Sequence, residues 1–211
     1  MADLYLSHGM GVNSTALMIL LEQKGIDFES VFINHGGDYP ETYEYLNYLR
    51  DEGYDITELK PNVEGCVSLE AYCLKYNLKP LGCNRWCTDK FKIRVIRNYI
   101  RVPCTMYLGI DGGEKHRAYK KPIKTGVCNH YPLVEQDIDR DGCKQIIRKA
   151  GLKVPMKSGC WFCCFSRKGE IKELKKNYPD LYERRKRIEI NADKSYAKRH
   201  YHVLPNYMGV D

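Results

Sequence analysis

Short apolar runs and longer amphipathic stretches take turns along the first two-thirds of the chain. The apolar runs lie at 4–6, 31–33, 56–59 and 105–110. Helical periodicity is found between and after them, at 16–24, 40–52, 67–76 and 88–100. Such runs, bounded by glycine and polar residues, are typical of buried strands. Strands that alternate with helices of this length predict an α/β fold, with βαβ units and a parallel sheet covered on both faces.

The pattern changes after about residue 131, where strand-like runs give way to helical stretches. These lie at 139–150, 171–176 and 181–190, and a cysteine-rich segment at 160–164 separates the first from the others. We therefore predict an α/β nucleotide-binding domain over residues 1–135. A helical, basic part over residues 136–211 should carry the Cys-x-x-Cys and pack on that domain.

Composition narrows the class of protein. With 211 residues, of which 43% are hydrophobic and 11% aromatic, the chain can bury a core and is not a disordered protein. The longest apolar stretch near its start, 16–21, is too short to span a bilayer. No basic segment followed by an apolar region opens the sequence, so no secretory signal is expected. We expect a cytoplasmic protein.

The ten cysteines change the picture most. A chain of this length does not need disulfides to hold a core, and the cytoplasm keeps thiols reduced. A surplus of cysteine there indicates metal, cluster or redox chemistry for some of the thiols. The others, such as Cys66, Cys73 and Cys104 in apolar-periodic stretches, are expected to be small buried hydrophobes.

A glycine-rich turn at 7–11 follows the first predicted strand, and Asn13 or Ser14 can cap the helix after it. Glycines let backbone N–H groups approach an anion, and the helix N-terminus favours negative charge. Ser7, Ser14 and Thr15 add hydroxyl groups. The turn is neither a dinucleotide fingerprint nor a Walker A loop. A tight βα turn without a ligand is the alternative.

A second polar loop at 34–42 follows the next predicted strand, so both loops should lie at the same sheet edge. Together, residues 7–15 and 34–42 resemble the PP-loop ATP pyrophosphatase and phosphoadenosine-phosphosulfate (PAPS) reductase superfamily. That family carries a Ser-Gly-Gly-x-Asp-Ser-like phosphate loop, which is matched loosely here with Asn13 in place of Asp. Its Pro-Glu-Thr triplet is intact at 40–42.

The resemblance continues along the chain. Residues 86–92 look like the family's Cys-Thr-x-x-x-Lys element, and 108–117 are similar to its loop ending in Glu-x-x-Arg. Residues 157–163 look like the cysteine pair of reductase-like members. The matches occur in order over roughly 4–190. The resemblance implies a doubly wound, Rossmann-like parallel sheet of the adenine nucleotide alpha-hydrolase type. It implies that ATP or a related adenine nucleotide binds with Mg²⁺.

The resemblance also implies roles for individual residues. Lys92 and Arg117 would neutralise charge on a pyrophosphate or sulfate leaving group, and Asp38 completes the catalytic candidates. Asp38, Glu41 and Asp111 are candidates for holding Mg²⁺ or a ribose hydroxyl. A solvated surface position is the alternative for each charged residue. The candidate nucleotide-binding residues are Ser7, Gly9, Gly11, Asn13, Ser14, Thr15, His35, Gly36, Glu41, Thr42, Asp111 and Glu114.

Two cysteine pairs have the spacing of a metal site. Cys83 and Cys87 are four apart, and Cys160 and Cys163 form a Cys-x-x-Cys. Four thiolates suit either Zn²⁺ or a 4Fe–4S cluster. Sulfate-reducing relatives bind a 4Fe–4S cluster, which favours iron–sulfur, but their first pair is adjacent. Cys143 or Cys164 could therefore replace Cys83. A redox-active Cys-x-x-Cys and buried thiols are the alternatives.

The positive charge is concentrated near the C-terminus. The chain has a formal net charge of +7, and residues 165–200 hold 12 Lys/Arg against 6 Asp/Glu. The densest run is 184–187, with tyrosines on either side. Such a face can bind the phosphates and bases of tRNA or DNA. An acidic protein partner or a solvated helix face explains the charge equally well.

Three functions remain open from the sequence. The first is an ATP pyrophosphatase that adenylates a substrate, with a nucleic acid as one candidate, so that a donor protein can deliver sulfur. The second is a thiol-dependent reductase of adenylylated sulfate; familiar reductases carry a mobile cysteine near the C-terminus, and no Cys follows Cys164 here. The third is a metal-stabilised nucleic-acid-binding module without catalysis. We favour the first.

Overall fold

The computed structural model describes residues 3–199, with side chains through residue 196. Five strands in this part of the chain form one sheet in the order β3-β2-β1-β4-β5, and every pair is parallel. The strands are β1 (Asp3–Ser7), β2 (Glu29–Ile33), β3 (Ile56–Leu59), β4 (Cys104–Leu108) and β5 (Val127–His130). The expected doubly wound parallel sheet is confirmed. β5 is an addition to the four strands predicted from the apolar runs.

Helices connect the strands and cover the sheet, and the C-terminal part of the described chain is helical. They are α1 (Val12–Gln23), α2 (Pro40–Asp51), α3 (Leu69–Tyr76), α4 (Trp86–Thr88), α5 (Arg94–Tyr99), α6 (Pro132–Glu135), α7 (Arg140–Lys149), α8 (Lys168–Asn177) and α9 (Pro179–Arg199). A π-helical turn (Asp89–Ile93) joins α4 to α5, and a 3₁₀ helix (Gly112–Arg117) follows β4. None of the described helices is long and apolar enough to cross a membrane.

The strand order places a topological switch point between β1 and β4. The chain moves from β1 outward to β2 and β3, then returns to the other side of β1 with β4 and β5. The loops that leave the carboxyl ends of β1 and β4 therefore diverge and open a crevice between them. In open α/β sheets this crevice is where ligands bind.

The main core lies between the sheet and helices α1, α2 and α7. Leu17 of α1 and Leu49 of α2 are fully buried there, and so are Cys143 and Ile147 of α7. Burying these side chains stabilises the fold by about 25 cal/mol for each Å² of apolar surface that is removed from water. Helix α7 belongs to the predicted C-terminal part, yet its apolar face is in the same core as α1.

A second core joins the cysteine-rich segment to the C-terminal helices. Trp161 and Phe162 pack with Phe91 of the π-helical turn, Leu174 of α8 and Ile188 of α9. The segment 160–164 is thereby held against both the α/β part and the last two helices. The predicted small buried thiols are also confirmed: Cys66, Cys73 and Cys104 are all buried.

Candidate functional site

The loop after β1 presents backbone donors at the N-terminus of α1. The N–H groups of Gly9 and Gly11 both donate to Ser14 Oγ, over 3.2 Å and 3.3 Å. The same hydroxyl donates to Gly11 O over 3.1 Å. Two amides that converge on one oxygen beside a helix N-terminus form a concavity suited to an anion. In this structure Ser14 Oγ accepts both of these hydrogen bonds.

The loop after β4 lies directly against this loop. A Cβ atom at Gly109 would lie 2.8 Å from Ser14 N and 2.9 Å from Ser14 Cα, so only glycine permits the contact. Asn13 Nδ2 donates to Asp111 Oδ2 over 2.9 Å. The Asp111 residue is buried, and Asn13 Oδ1 is buried with no hydrogen-bond partner among the residues that the structure describes. The structure therefore brings the predicted residues Asn13, Ser14 and Asp111 together across the switch point.

Other predicted nucleotide ligands have structural roles. Thr15 is fully buried, and its hydroxyl donates to Gly11 O over 3.0 Å. Gly36 has a φ of +68°, and a Cβ atom there would lie 2.7 Å from Ser68 Cβ at the start of α3. Thr42 is buried in the first turn of α2. These positions shape the loops.

The second loop contains a buried imidazole–carboxylate pair. The N–H of Gly37 donates to His35 Nδ1 over 3.1 Å, and His35 Nε2 lies 3.3 Å from Asp38 Oδ2. Since Nδ1 accepts a hydrogen bond, the proton of the neutral ring is on Nε2 and points to the carboxylate. Both residues are almost fully buried. His35 therefore fixes the orientation of Asp38.

The pKa values of Asp38 and Cys160 are affected by predicted site residues from distant parts of the chain. Burial by itself raises the pKa of Asp38, but the hydrogen bond from His35 and the charge of Lys92 outweigh it, so its pKa lies below the usual value. Burial raises the pKa of the Cys160 thiol well above the usual value, and the charge of Asp38 adds to the rise. Lys92 acts in the opposite direction on that thiol. Asp38, Lys92 and Cys160 therefore form one electrostatic unit.

Backbone pairing holds the cysteine-rich segment against the second loop. Asp38 and Cys160 form an antiparallel bridge. The N–H of Tyr39 donates to Gly159 O over 3.2 Å, and the N–H of Trp161 donates to Gly37 O over 3.1 Å. We call this pairing of residues 37–39 with 159–161 the cross-strap. It places the Cys-x-x-Cys beside the second loop.

The two predicted cysteine pairs lie on neighbouring segments. A Cβ atom at Gly82 would contact the Phe165 ring at 3.3 Å, and the Arg85 guanidinium lies 5.9 Å from the centre of that ring. All ten thiols are free. The residue types suit Zn²⁺ or a cluster. Within residues 3–196, no three His, Cys, Asp or Glu side chains are positioned to share one metal ion.

Individual thiols differ in their surroundings. Cys164 has a raised pKa, first because of burial and then because Cys163 and Cys87 are close to it. Cys83 is exposed, whereas Cys87, Cys160 and Cys163 are half-buried. Of the two candidates to replace Cys83, Cys164 lies with the other thiols. Cys143 lies in the main core.

Arg117 and Glu114 pair with each other on the 3₁₀ helix after β4, and both side chains are exposed to solvent. Among the residues that the structure describes, no contact joins Arg117 to Lys92 or Asp38. Lys92 itself makes no ion pair there and lies on the π-helical turn, whose buried residue is Phe91. The predicted catalytic set is therefore brought together only in part.

A cavity of about 350 Å³ opens beside the first loop. Its walls come from the first loop, the start of α2, the segment 155–160 and α8. Sequence reasoning missed most of these residues because they have no motif in common. The wall residues that carry hydroxyl, amide, charged or aromatic groups are Tyr39, Glu41, Thr42, Lys157, Ser158, Phe165, Ser166, Glu170, Glu173, Asn177 and Tyr178.

Much of the basic run at 184–187 is engaged within the protein. Arg184 forms a bidentate pair with Glu70 and lies 5.0 Å from the centre of a Trp161 ring. Arg185 is buried and donates to Trp161 O and Ser166 Oγ, each over 3.2 Å. Two arginines of the basic run therefore hold α9 to the cysteine-rich segment.

Comparisons with known proteins bear on the fold. No protein-family model matches the chain, and no curated protein matches it in sequence. Among solved structures, the chain is similar to phosphoadenylyl-sulfate (PAPS) reductase from Candida auris in a phosphate complex, with a TM-score of 0.57 and 17% identity. The match covers 76% of this chain and 82% of that one. The chain thus shares the fold of an enzyme in the superfamily that its loops resemble.

Proposed function

We propose that the chain is an adenine-nucleotide-dependent enzyme of sulfur metabolism. The observation that carries this proposal is the pair of amides, from Gly9 and Gly11, that converge on Ser14 Oγ at the N-terminus of α1. They lie at the switch point of a fold shared with a PAPS reductase whose structure contains phosphate. Convergent amides at such a point are suited to nucleotide phosphates.

The reaction we favour is adenylation of an acceptor, with tRNA or DNA as candidates. An acceptor oxygen attacks the α-phosphorus of ATP, the bond from that phosphorus to the bridging oxygen breaks, and pyrophosphate leaves. Sulfide then attacks the activated carbon and displaces AMP. A persulfide donor does the same through its terminal sulfur, and a second thiol of the donor then cleaves the sulfur–sulfur bond, which leaves one sulfur on the acceptor and a disulfide on the donor. Lys92, held near the ionised Asp38, would neutralise charge on the leaving group. Arg117 would do so after leaving Glu114.

Oxygen atoms beside the first loop fit a magnesium ion. Asn13 Oδ1 is buried and has no hydrogen-bond partner within the described part of the chain, and the buried Asp111 carboxylate uses one oxygen for Asn13 Nδ2. Hard oxygen ligands of this kind suit Mg²⁺ bound together with phosphates. Asp111 and Asn13 would hold the ion, which would neutralise phosphate charge. Asp38, also expected to bind Mg²⁺, is already paired with His35.

The test is release of pyrophosphate. Purified protein is incubated with ATP, Mg²⁺ and, in turn, tRNA, DNA and small acceptors, and pyrophosphate is measured by an enzyme-coupled assay. Release that depends on one acceptor supports adenylation. Tight binding of ATP with no pyrophosphate formed from any acceptor would contradict it.

A second candidate function is favoured by the structural similarity to PAPS reductase. In that reaction a thiolate attacks the sulfur of an adenylylated sulfate, the sulfur–oxygen bond to the nucleotide breaks, and a second thiol releases sulfite as a disulfide forms. Thioredoxin-type dithiols would restore the thiols. Sulfite formed from adenylylated sulfate and such a donor would establish this function in place of adenylation.

We also propose that Cys83, Cys87, Cys160 and Cys163 bind a 4Fe–4S cluster, with Zn²⁺ as the alternative. The support is the residue type and the contact of the two segments at Phe165. No step of the reactions above is assigned to this group. Anaerobic purification followed by iron, zinc and acid-labile sulfide analysis tests it, and a metal-free protein would contradict it.

A further inference from the structure

The segment just before the Cys-x-x-Cys lies across the phosphate-binding loop. A Cβ atom at Gly11 would lie 2.7 Å from Ser158 Oγ, so this hydroxyl is in contact with the loop backbone. The cross-strap fixes the segment from its other end through Gly159. Ser158 therefore lies beside Gly11, whose N–H group is one of the two that converge on Ser14 Oγ.

Lys157 is the one cationic side chain that lines the 350 Å³ cavity among the residues described. The other charged groups of its wall are the carboxylates of Glu41, Glu170 and Glu173. These carboxylates repel an anion that enters the cavity from the loop. Among the described side chains of the cavity wall, Lys157 is the one whose charge attracts it. The Lys157 ammonium now pairs with Glu170.

The Lys157–Glu170 pair is weak enough to exchange. The Lys157 side chain is 71% exposed, and an exposed ion pair of this kind contributes little to stability. A phosphate offers the ammonium more charge and more acceptor oxygens than one carboxylate does. Glu170 would keep the hydrogen bond that it accepts from the N–H of Arg167, so α8 retains its first turn.

We propose that Lys157 and Ser158 form the outer wall of the phosphate site, and that Lys157 exchanges Glu170 for a phosphate group of the bound nucleotide. The proposal rests on the nucleotide binding put forward above. It assigns ligands that the phosphate-loop motif does not contain. It also ties nucleotide binding to the Cys-x-x-Cys, because Lys157 and Ser158 directly precede the cross-strap.

The experiment measures equilibrium binding to the full chain, by isothermal titration calorimetry with ATP and, separately, with inorganic pyrophosphate. Lys157→Gln should weaken both by about 10- to 100-fold, the range for losing a hydrogen bond to a charged group. Ser158→Ala should weaken them by about 2- to 10-fold. Glu170→Gln should strengthen them, because it releases Lys157. Lys172→Gln, which removes an exposed charge from α8, is the matched control.

Each outcome decides something. ATP binding that is equal in wild type and Lys157→Gln overturns the inference and leaves the proposed function standing. Pyrophosphate binding that depends on Lys157, in a protein that does not bind ATP, overturns the proposed function and, with it, the nucleotide as the ligand of Lys157. Binding of neither ligand to the wild type overturns both. Thermal unfolding of each variant, unchanged from wild type, shows that the fold is intact.

Discussion

Alanine at position 109 should push apart the two loops that meet at the switch point. Its Cβ would lie 2.8 Å from Ser14 N, 2.9 Å from Ser14 Cα and 3.1 Å from the Asn13 carbonyl carbon. All three are backbone atoms, so no side chain can rotate away to relieve the overlap. The start of α1 must move away from the end of β4.

The cost follows from this geometry. Inserting a methyl group into a well-packed site costs about 1–3 kcal/mol when the surroundings must shift. The loss of unfolded-chain entropy that accompanies Gly→Ala offsets about 0.4–1 kcal/mol of it. The free energy of unfolding should therefore fall by roughly 1–2 kcal/mol. For a chain of this size each kcal/mol corresponds to a fall in Tm of about 2–4 °C.

The assay is urea unfolding followed by far-UV circular dichroism, with Gly9→Ala as the control. A Cβ atom at Gly9 would have no non-neighbouring atom within 4 Å, although Gly9 lies in the loop after β1, which contacts Gly109. Its free energy of unfolding should stay within about 0.5 kcal/mol of wild type. A Gly109→Ala protein with the stability of Gly9→Ala would refute the reasoning that the two loops are packed to contact.

Three further predictions concern single side chains. Lys92→Ala should abolish turnover while metal content, measured by elemental analysis, is unchanged; full activity would remove Lys92 from the site. Burial lowers the pKa of His8 to about 3, so between pH 6.5 and that value the unfolded chain alone takes up this proton. The free energy of unfolding, measured in urea, should thus fall by up to about 1.4 kcal/mol for each unit by which the pH is lowered in this range. The His8→Asn variant should lose this pH dependence, whereas a variant with the exposed His116 replaced by Asn should keep it. Arg185→Ala should destabilise the protein by about 1–3 kcal/mol, because Trp161 O loses its buried donor, whereas the exposed Arg187→Ala should unfold in urea like wild type.

The sheet was predictable because its inner strands are buried on both faces and therefore read as apolar runs. β5 was not, because Val127–His130 contains one buried residue and otherwise polar or exposed ones. It is an edge strand, held by pairing with β4 on one side. Backbone hydrogen bonds of this kind leave no hydrophobic pattern. The predicted helix over 88–100 is interrupted by the π-helical turn at Asp89–Ile93.

The two loops of the site were predictable for a different reason. A Cβ atom at Gly11 would lie 2.7 Å from Ser158 Oγ, and Pro40 is at the first position of α2, so both positions limit the residue type. The role of Lys157 was not predictable, because a lysine on an exposed segment has no local signal that distinguishes it from any solvated charge. The contact of Asp38 with Cys160 was also hidden, since it depends on pairing between segments far apart in the chain.

The cross-strap has a consequence for biosynthesis. Residues 37–39 leave the ribosome more than a hundred positions before their partners at 159–161, so a nascent chain can build β1–β5 while one wall of the cavity is missing. Contacts of such long separation form late in folding because loop closure precedes them. Nucleotide binding of the kind proposed would then reach its full strength only after the Cys-x-x-Cys segment has been translated. An incomplete chain would bind ATP more weakly than the finished protein does.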